Sequence, residues 1–234
     1  NLEYQSTQRP LKGINFLFGM LSSSLPFAFV LALIFVLTNL FSSFYYQNLN
    51  IMSIYPKSKK TSLFKILFSS TSLSIAFLTL TLGYVFLLSS LFFGSGSVFY
   101  PTISFDLKTR MLFIQPIFNT FLPVAVLMFL SIIFINLLVY LLCFLLRDKL
   151  SSLFLSLFLT IGILSITLVW EELQKIAYLL PTTYFLSFPI ATGIFQSMTN
   201  QFDPSFASGV FVLSVAILLL IIFIKGADFI KSEA

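Results

Sequence analysis

Long apolar runs without a charged residue alternate with short polar stretches along this chain of 234 residues. A helix rising about 1.5 Å per residue needs about 20 apolar residues to cross a hydrocarbon core ~30 Å thick. Five runs reach that length: Leu25 to Phe44, Ile66 to Phe93, Ile117 to Leu146, Leu150 to Trp170 and Ser208 to Ile224. The second and third exceed what a straight span requires, so they are expected to tilt or to continue beyond the lipid as helix. Pro123 lies near the start of the third run, where it predicts an entry kink rather than a break. The pattern predicts an all-α, polytopic integral membrane protein with five visible spans, forming a single transmembrane domain over residues 1–234.

Two connections fit neither span nor tail. Residues 45–63 pass from aromatic and aliphatic side chains through Pro56 into a cluster of lysines and hydroxyls. Leu49, Ile51 or Met52, and Ile54 or Tyr55 recur at intervals of two to four, enough for a short amphipathic helix that Pro56 would stop. Residues 171–197 are largely apolar but are broken by Pro181, Pro189 and Gly193. Such interruptions suit interfacial or re-entrant helices rather than an uninterrupted span, with Tyr178 and Tyr184 in the aromatic belt.

Composition narrows the chemistry. Hydrophobic residues make up 58% of the chain and charged ones 9%, against about 45–50% and about 25% in soluble domains. With no histidine and one cysteine, the chain cannot assemble a His/Cys metal centre, a Ser-His-Asp triad or an internal disulfide. The net charge of +5 reads as membrane topology rather than nucleic-acid binding. Lys57, Lys59, Lys60, Lys65, Arg147, Lys149, Lys225 and Lys231 fall on one side of the predicted spans. The other side has Arg9, Lys12, Lys108, Arg110 and Lys175. Basic residues are retained in the cytoplasm, so the 45–63 connection and the C-terminus are expected there and Asn1 outside. A hydrophilic start delivered to the outside implies a preceding segment: a cleaved signal peptide or, preferred here, a sixth span ahead of Asn1.

The polar groups left to carry function are few. The lysines of the 45–63 connection either hold the loop against anionic lipid or form a docking element for a soluble motor. Glu171 and Glu172, the one adjacent acidic pair, read best as a solvated helix end, because intramembrane carboxylates lie within spans. Asn39, Ser69, Ser70, Thr71, Asn119 and Asn136 serve either helix contact or a path suited to amphipathic or lipid-like cargo.

The order of these features resembles the permease subunit of ABC type-two exporters, bacterial ATP-driven efflux systems. Ile54-Tyr55-Pro56-Lys57-Ser58-Lys59 is similar to the family's Pro-x-Ser-Arg/Lys element, and Leu180-Pro181-Thr182-Thr183-Tyr184-Phe185 to its outer Pro-x-x-Tyr segment. Where the family often has an acidic residue and a Gly-Thr pair before the proline, this chain has Tyr45-Tyr46-Gln47 and Asn48-Leu49-Asn50.

The resemblance implies six spans in the bacterial cell membrane, with a cytoplasmic coupling helix and outer re-entrant helices. It assigns ATPase coupling to Tyr55, Pro56, Lys57, Ser58, Lys59 and Lys60, and the outer segment to Pro181, Tyr184 and Pro189. No G-x-x-x-x-G-K-[ST] loop occurs in the chain, so no cofactor is expected on it; ATP and Mg²⁺ belong to a separate cytoplasmic ATPase subunit. A second or homologous permease copy and membrane lipid complete the expected partners. The expected activity is export of an amphipathic or hydrophobic cargo, such as an antimicrobial peptide, bacteriocin, lipid or drug, by alternating access. The alternative is a non-transporting membrane anchor or immunity protein that binds a peptide or partner without ATP.

Overall fold

A computed structural model of the protein describes residues 12–46, 59–97, 99, 101–106, 111–199 and 204–233. The described chain is mostly helical, and five of its helices are long and apolar enough to cross a membrane. It is a multi-pass membrane protein. The first helix, α1 (Gly13–Leu21), is too short to span and was not expected from the sequence. It is followed by α2 (Leu25–Tyr46) and α3 (Lys59–Phe93). A hairpin of β1 (Pro101–Asp106) and β2 (Met111–Pro116) leads into α4 (Phe118–Leu146). The fourth span is split into α5 (Lys149–Leu157), a π-helical turn over Phe158–Gly162, and α6 (Ile163–Val169). Short helices follow: α7 (Glu171–Lys175), two 3₁₀ turns (Ala177–Leu179 and Pro181–Phe185), α8 (Ser187–Ala191) and α9 (Ile194–Thr199). The last span is α10 (Phe206–Glu233).

The span ends agree with the apolar runs to within a few residues, except that α3 and α10 extend further into polar sequence. At 1.5 Å per residue, Lys59 to Lys65 prolong α3 by about 9 Å beyond its apolar run.

Helix α4 is the mast of the domain, with 72% of its span buried inside the protein, against 6% for α3 and 17% for α10. Its apolar surface is occupied on several sides, and aromatic pairs mark the seams. Phe41 of α2 meets Tyr140 edge-on at 5.4 Å, and Phe134 meets Phe185 at 6.2 Å. Without a hydrophobic driving force between helices in lipid, such contacts and buried polar bonds must hold the bundle. One joins α3 to α4: the buried Asn136 amide donates to Ser74 Oγ at 3.0 Å and to the Ile132 carbonyl at 2.9 Å.

Helix α5 packs against α4 and α2 through small residues. Ser152, Ser156 and Thr160 are fully buried, and their hydroxyls bond back to the carbonyls of Asp148, Ser152 and Ser156 at 2.7, 2.6 and 2.6 Å. Each polar group is thereby satisfied within its own helix while the small side chain permits close approach.

The α4–α5 connection has two residues. Arg147 closes α4 in the left-handed region at φ 51°, and Asp148 caps α5 by accepting the Ser151 N–H at 2.7 Å. Hydrogen bonds from Ser151, through its side chain and its N–H, hold the Asp148 carboxyl below its ordinary range. The break between α1 and α2 uses the same economy. Ser22 and Ser23 hydroxyls donate to the Gly19 carbonyl at 2.6 and 3.1 Å, serving a group that the interrupted helix releases. Helix α4 runs unbroken through Pro123 in its second turn.

The hairpin is the second departure from expectation. Its strands pair antiparallel from Pro101↔Pro116 to Asp106↔Met111, and the Phe105 N–H donates to the Thr192 carbonyl at 2.8 Å, tying β1 to the turn between α8 and α9.

Candidate functional site

Of the residues assigned to ATPase coupling, Tyr55, Pro56, Lys57 and Ser58 lie outside the described residues. Lys59 and Lys60 open α3. Helix α3 thus starts with its basic residues ahead of the apolar span that begins near Lys65, on the side of the bundle shared by Arg147, Lys149 and Lys225 if each helix crosses once.

Within the segment 171–197, the elements from Ala177 to Ala191 sit against α4 and α10. Pro181 opens a 3₁₀ turn, where its missing N–H costs nothing. Pro189 lies in α8 and is buried. Tyr184, expected in the interfacial belt, is instead fully buried. Its hydroxyl donates to the Tyr178 carbonyl at 2.7 Å and lies 3.0 Å from Ser208 Oγ. Its ring fills the space beside Gly209 of α10: a Cβ there would stand 2.6 Å from Tyr184 Cδ1 and 2.8 Å from Leu127 Cδ2. A buried phenol needs a partner for its O–H; the Tyr178 carbonyl lies within the same segment, and the contact with Ser208 fastens that segment to α10.

Around Tyr184, Thr182, Thr183, Ser187 and Gln196 are also buried. The Thr182, Thr183 and Ser187 hydroxyls and Gln196 Oε1 have no protein partner, while Gln196 Nε2 donates to the Pro204 carbonyl. The segment therefore carries hydrogen-bonding capacity that its own fold leaves unused, and buried polar groups of this kind are ordinarily met by water or a ligand. Sequence reading missed it because a Thr or Ser in an apolar stretch looks the same whether it faces lipid or protein.

Glu171 and Glu172 are exposed, and Glu172 pairs with Lys175 at 2.8 Å within α7, as a solvated helix end should. An exposed pair of this type contributes about 0.2–1 kcal/mol.

The polar span residues are not gathered into one path. Asn136 and Ser70 are buried, whereas Asn39, Ser69 and Asn119 are exposed. What the bundle does form is an apolar cleft of about 230 Å³ between α1, α3 and α4. Leu17, Phe18 and Leu21 wall one side, Ile75, Leu78 and Leu82 a second, and Phe121, Val124 and Met128 the third. A cleft without a polar wall can hold an alkyl or aromatic group and gives an ion nothing to replace its hydration.

No family model matches the chain. No curated protein and no solved structure matches it either.

Replacing Tyr184 with Phe removes the donated bond and leaves the half-buried Tyr178 carbonyl and Ser208 without it. The expected loss is about 0.5–1.5 kcal/mol, read as a lower midpoint in thermal or denaturant unfolding in detergent. Tyr178→Phe keeps the bond, which uses the Tyr178 backbone, and is expected to change the midpoint far less.

Proposed function

We propose that the chain is the membrane-spanning subunit of a bacterial ABC type-two exporter, which moves an amphipathic or hydrophobic cargo out of the cell at the expense of ATP bound by a separate subunit. The observation that carries this reading is the order of elements: in the sequence a basic Pro-x-Ser-Lys stretch leads into α3, which opens on Lys59 and Lys60, and the Pro-x-x-Tyr segment is built into the bundle before its last span. The apolar cleft between α1, α3 and α4 supports the choice of cargo, because its walls suit an acyl chain or an apolar side chain.

In this reading the lysines Lys57, Lys59 and Lys60, with Tyr55, Pro56 and Ser58, receive the cytoplasmic ATPase. Helix α3 continues from that contact without interruption through the membrane to Phe93, so a push at its start is delivered along a rigid rod. Closure of two ATPases on ATP and Mg²⁺ shifts a pair of permeases between inward and outward access, with the nucleotide contacts supplying the free-energy difference between the states. Segment 171–199, fastened by Tyr184, moves with α4 and α10.

Replacing residues 55–60 by a neutral flexible linker tests the reading. The expected outcome is correct insertion, with ATPase association weakened by more than about ten-fold, as when anchor contacts are removed from an interface, and with export lost. Association and export at the level of the unaltered protein would count against it and favour the non-transporting anchor.

A further inference from the structure

The β-hairpin has a face that is largely left open among the described residues. Strand pairing puts Pro101, Ile103 and Phe105 opposite Pro116, Ile114 and Leu112, so one face of the ribbon is wholly apolar. On it Ile114 is 71% and Leu112 66% exposed. The other face is mixed: Ser104 is buried, and the Gln115 amide donates to its hydroxyl at 2.6 Å. A ribbon with one side on protein and the other in water would be polar on the second side; this one is apolar there.

The bare face does not end at the hairpin. Ile117 leads directly into α4, whose first turns expose Phe118, Phe121 and Leu122, and the Phe99 and Phe118 rings stand 6.4 Å apart. In a membrane protein those α4 residues face lipid, and the hairpin face continues the same surface. The sequence joining the two strands contains Lys108 and Arg110, the charge that suits anionic headgroups. A second limit fixes the depth. The outer edges of a two-stranded ribbon leave backbone groups unpaired, which hydrocarbon does not tolerate, so the ribbon cannot lie in the bilayer core.

We propose that the hairpin lies at the headgroup level of the leaflet where α4 begins, with Ile103, Leu112 and Ile114 turned toward the acyl chains, and that it anchors this side of the domain to phospholipid. Phe105 is held by Thr192, so the anchor is coupled to the α8–α9 turn and to the segment that contains Tyr184.

The protein has one tryptophan, Trp170, which makes a direct test possible. Leu112→Trp and, independently, Ile114→Trp are each introduced with Trp170→Phe, and the purified full chain is reconstituted into phosphatidylcholine and phosphatidylglycerol vesicles. The expected result in both variants is blue-shifted emission, strong quenching by lipids brominated near the headgroup end of the acyl chain, and weak quenching by acrylamide. Red-shifted emission quenched mainly by acrylamide would place the face in water and overturn the proposal. Emission quenched by neither reagent, with cross-linking between copies, would show a protein contact and would overturn it equally.

Discussion

Alanine at position 193 is expected to release the hairpin from the rest of the domain. Gly193 adopts φ +74°, and a Cβ there would meet the Phe105 carbonyl oxygen and Cβ well inside ordinary contact distance. The obstacle is backbone, which cannot rotate aside as a side chain can. It belongs to the residue whose N–H donates to the neighbouring Thr192 carbonyl, so relief requires that this bond open. The left-handed backbone adds about 1–3 kcal/mol for a residue other than glycine, and forced overpacking adds about 1–3 kcal/mol more. Hydrogen exchange in detergent reads the effect at its source: Phe105 N–H protection should fall toward that of an open strand. Gly94→Ala is the control, since Gly94 also has a positive φ, +81°, but nothing lies within 4 Å of its added Cβ. That variant should show only the backbone cost of about 1–3 kcal/mol and leave Phe105 protected. Equal protection of Phe105 in the Gly193 variant and the unaltered protein would remove the contact from the picture.

Valine at position 209 should act on the global stability of the bundle. Tyr184 and Leu127, the side chains nearest an added Cβ, are both fully buried. Tyr184 is held at its far end by the Tyr178 carbonyl and Ser208, so its ring cannot retreat without giving up those bonds. Overpacking of about 1–3 kcal/mol and lost part-buried hydrogen bonds of about 0.5–1.5 kcal/mol act together, for a total of about 1.5–4.5 kcal/mol. The expected result is a steep fall in the unfolding midpoint or failure to recover monodisperse protein. Alanine at Gly226, where nothing lies within 4 Å, should be tolerated. Combined with Tyr184→Ala, Gly209→Val should cost less than the sum of the two single losses, because its clash with the ring cannot occur once the ring is gone.

These two glycines show what the sequence could and could not disclose. The spans were legible: an uncharged apolar run of twenty residues has one stable state in lipid, a helix, and α2, α4 and α10 begin within two residues of the predicted starts. The hairpin was not legible, because Asp106, Lys108 and Arg110 remove it from any search for uncharged runs and its strands are only six residues long. Helix α1 escaped for the opposite reason: it is apolar, but nine residues are too few to span. Tyr184 was singled out for its place in a Pro-x-x-Tyr stretch, and its burial depends on a cavity beside Gly209 that belongs to another span. Tertiary partners of that kind leave no local pattern. The hydroxyls of Ser152, Ser156 and Thr160 had a readable spacing of four, the period that places small residues on one helix face.

The central claim, a membrane subunit driven by a separate ATPase, is tested most directly by purifying the protein from its native membrane in mild detergent and measuring what accompanies it and whether the preparation hydrolyses ATP. The expected result is a soluble-type ATPase chain carrying a phosphate-gripping loop, in stoichiometric amount, with vanadate-sensitive turnover that disappears when residues 55–60 are replaced. A well-folded protein that purifies without an ATPase and shows no nucleotide hydrolysis would contradict it.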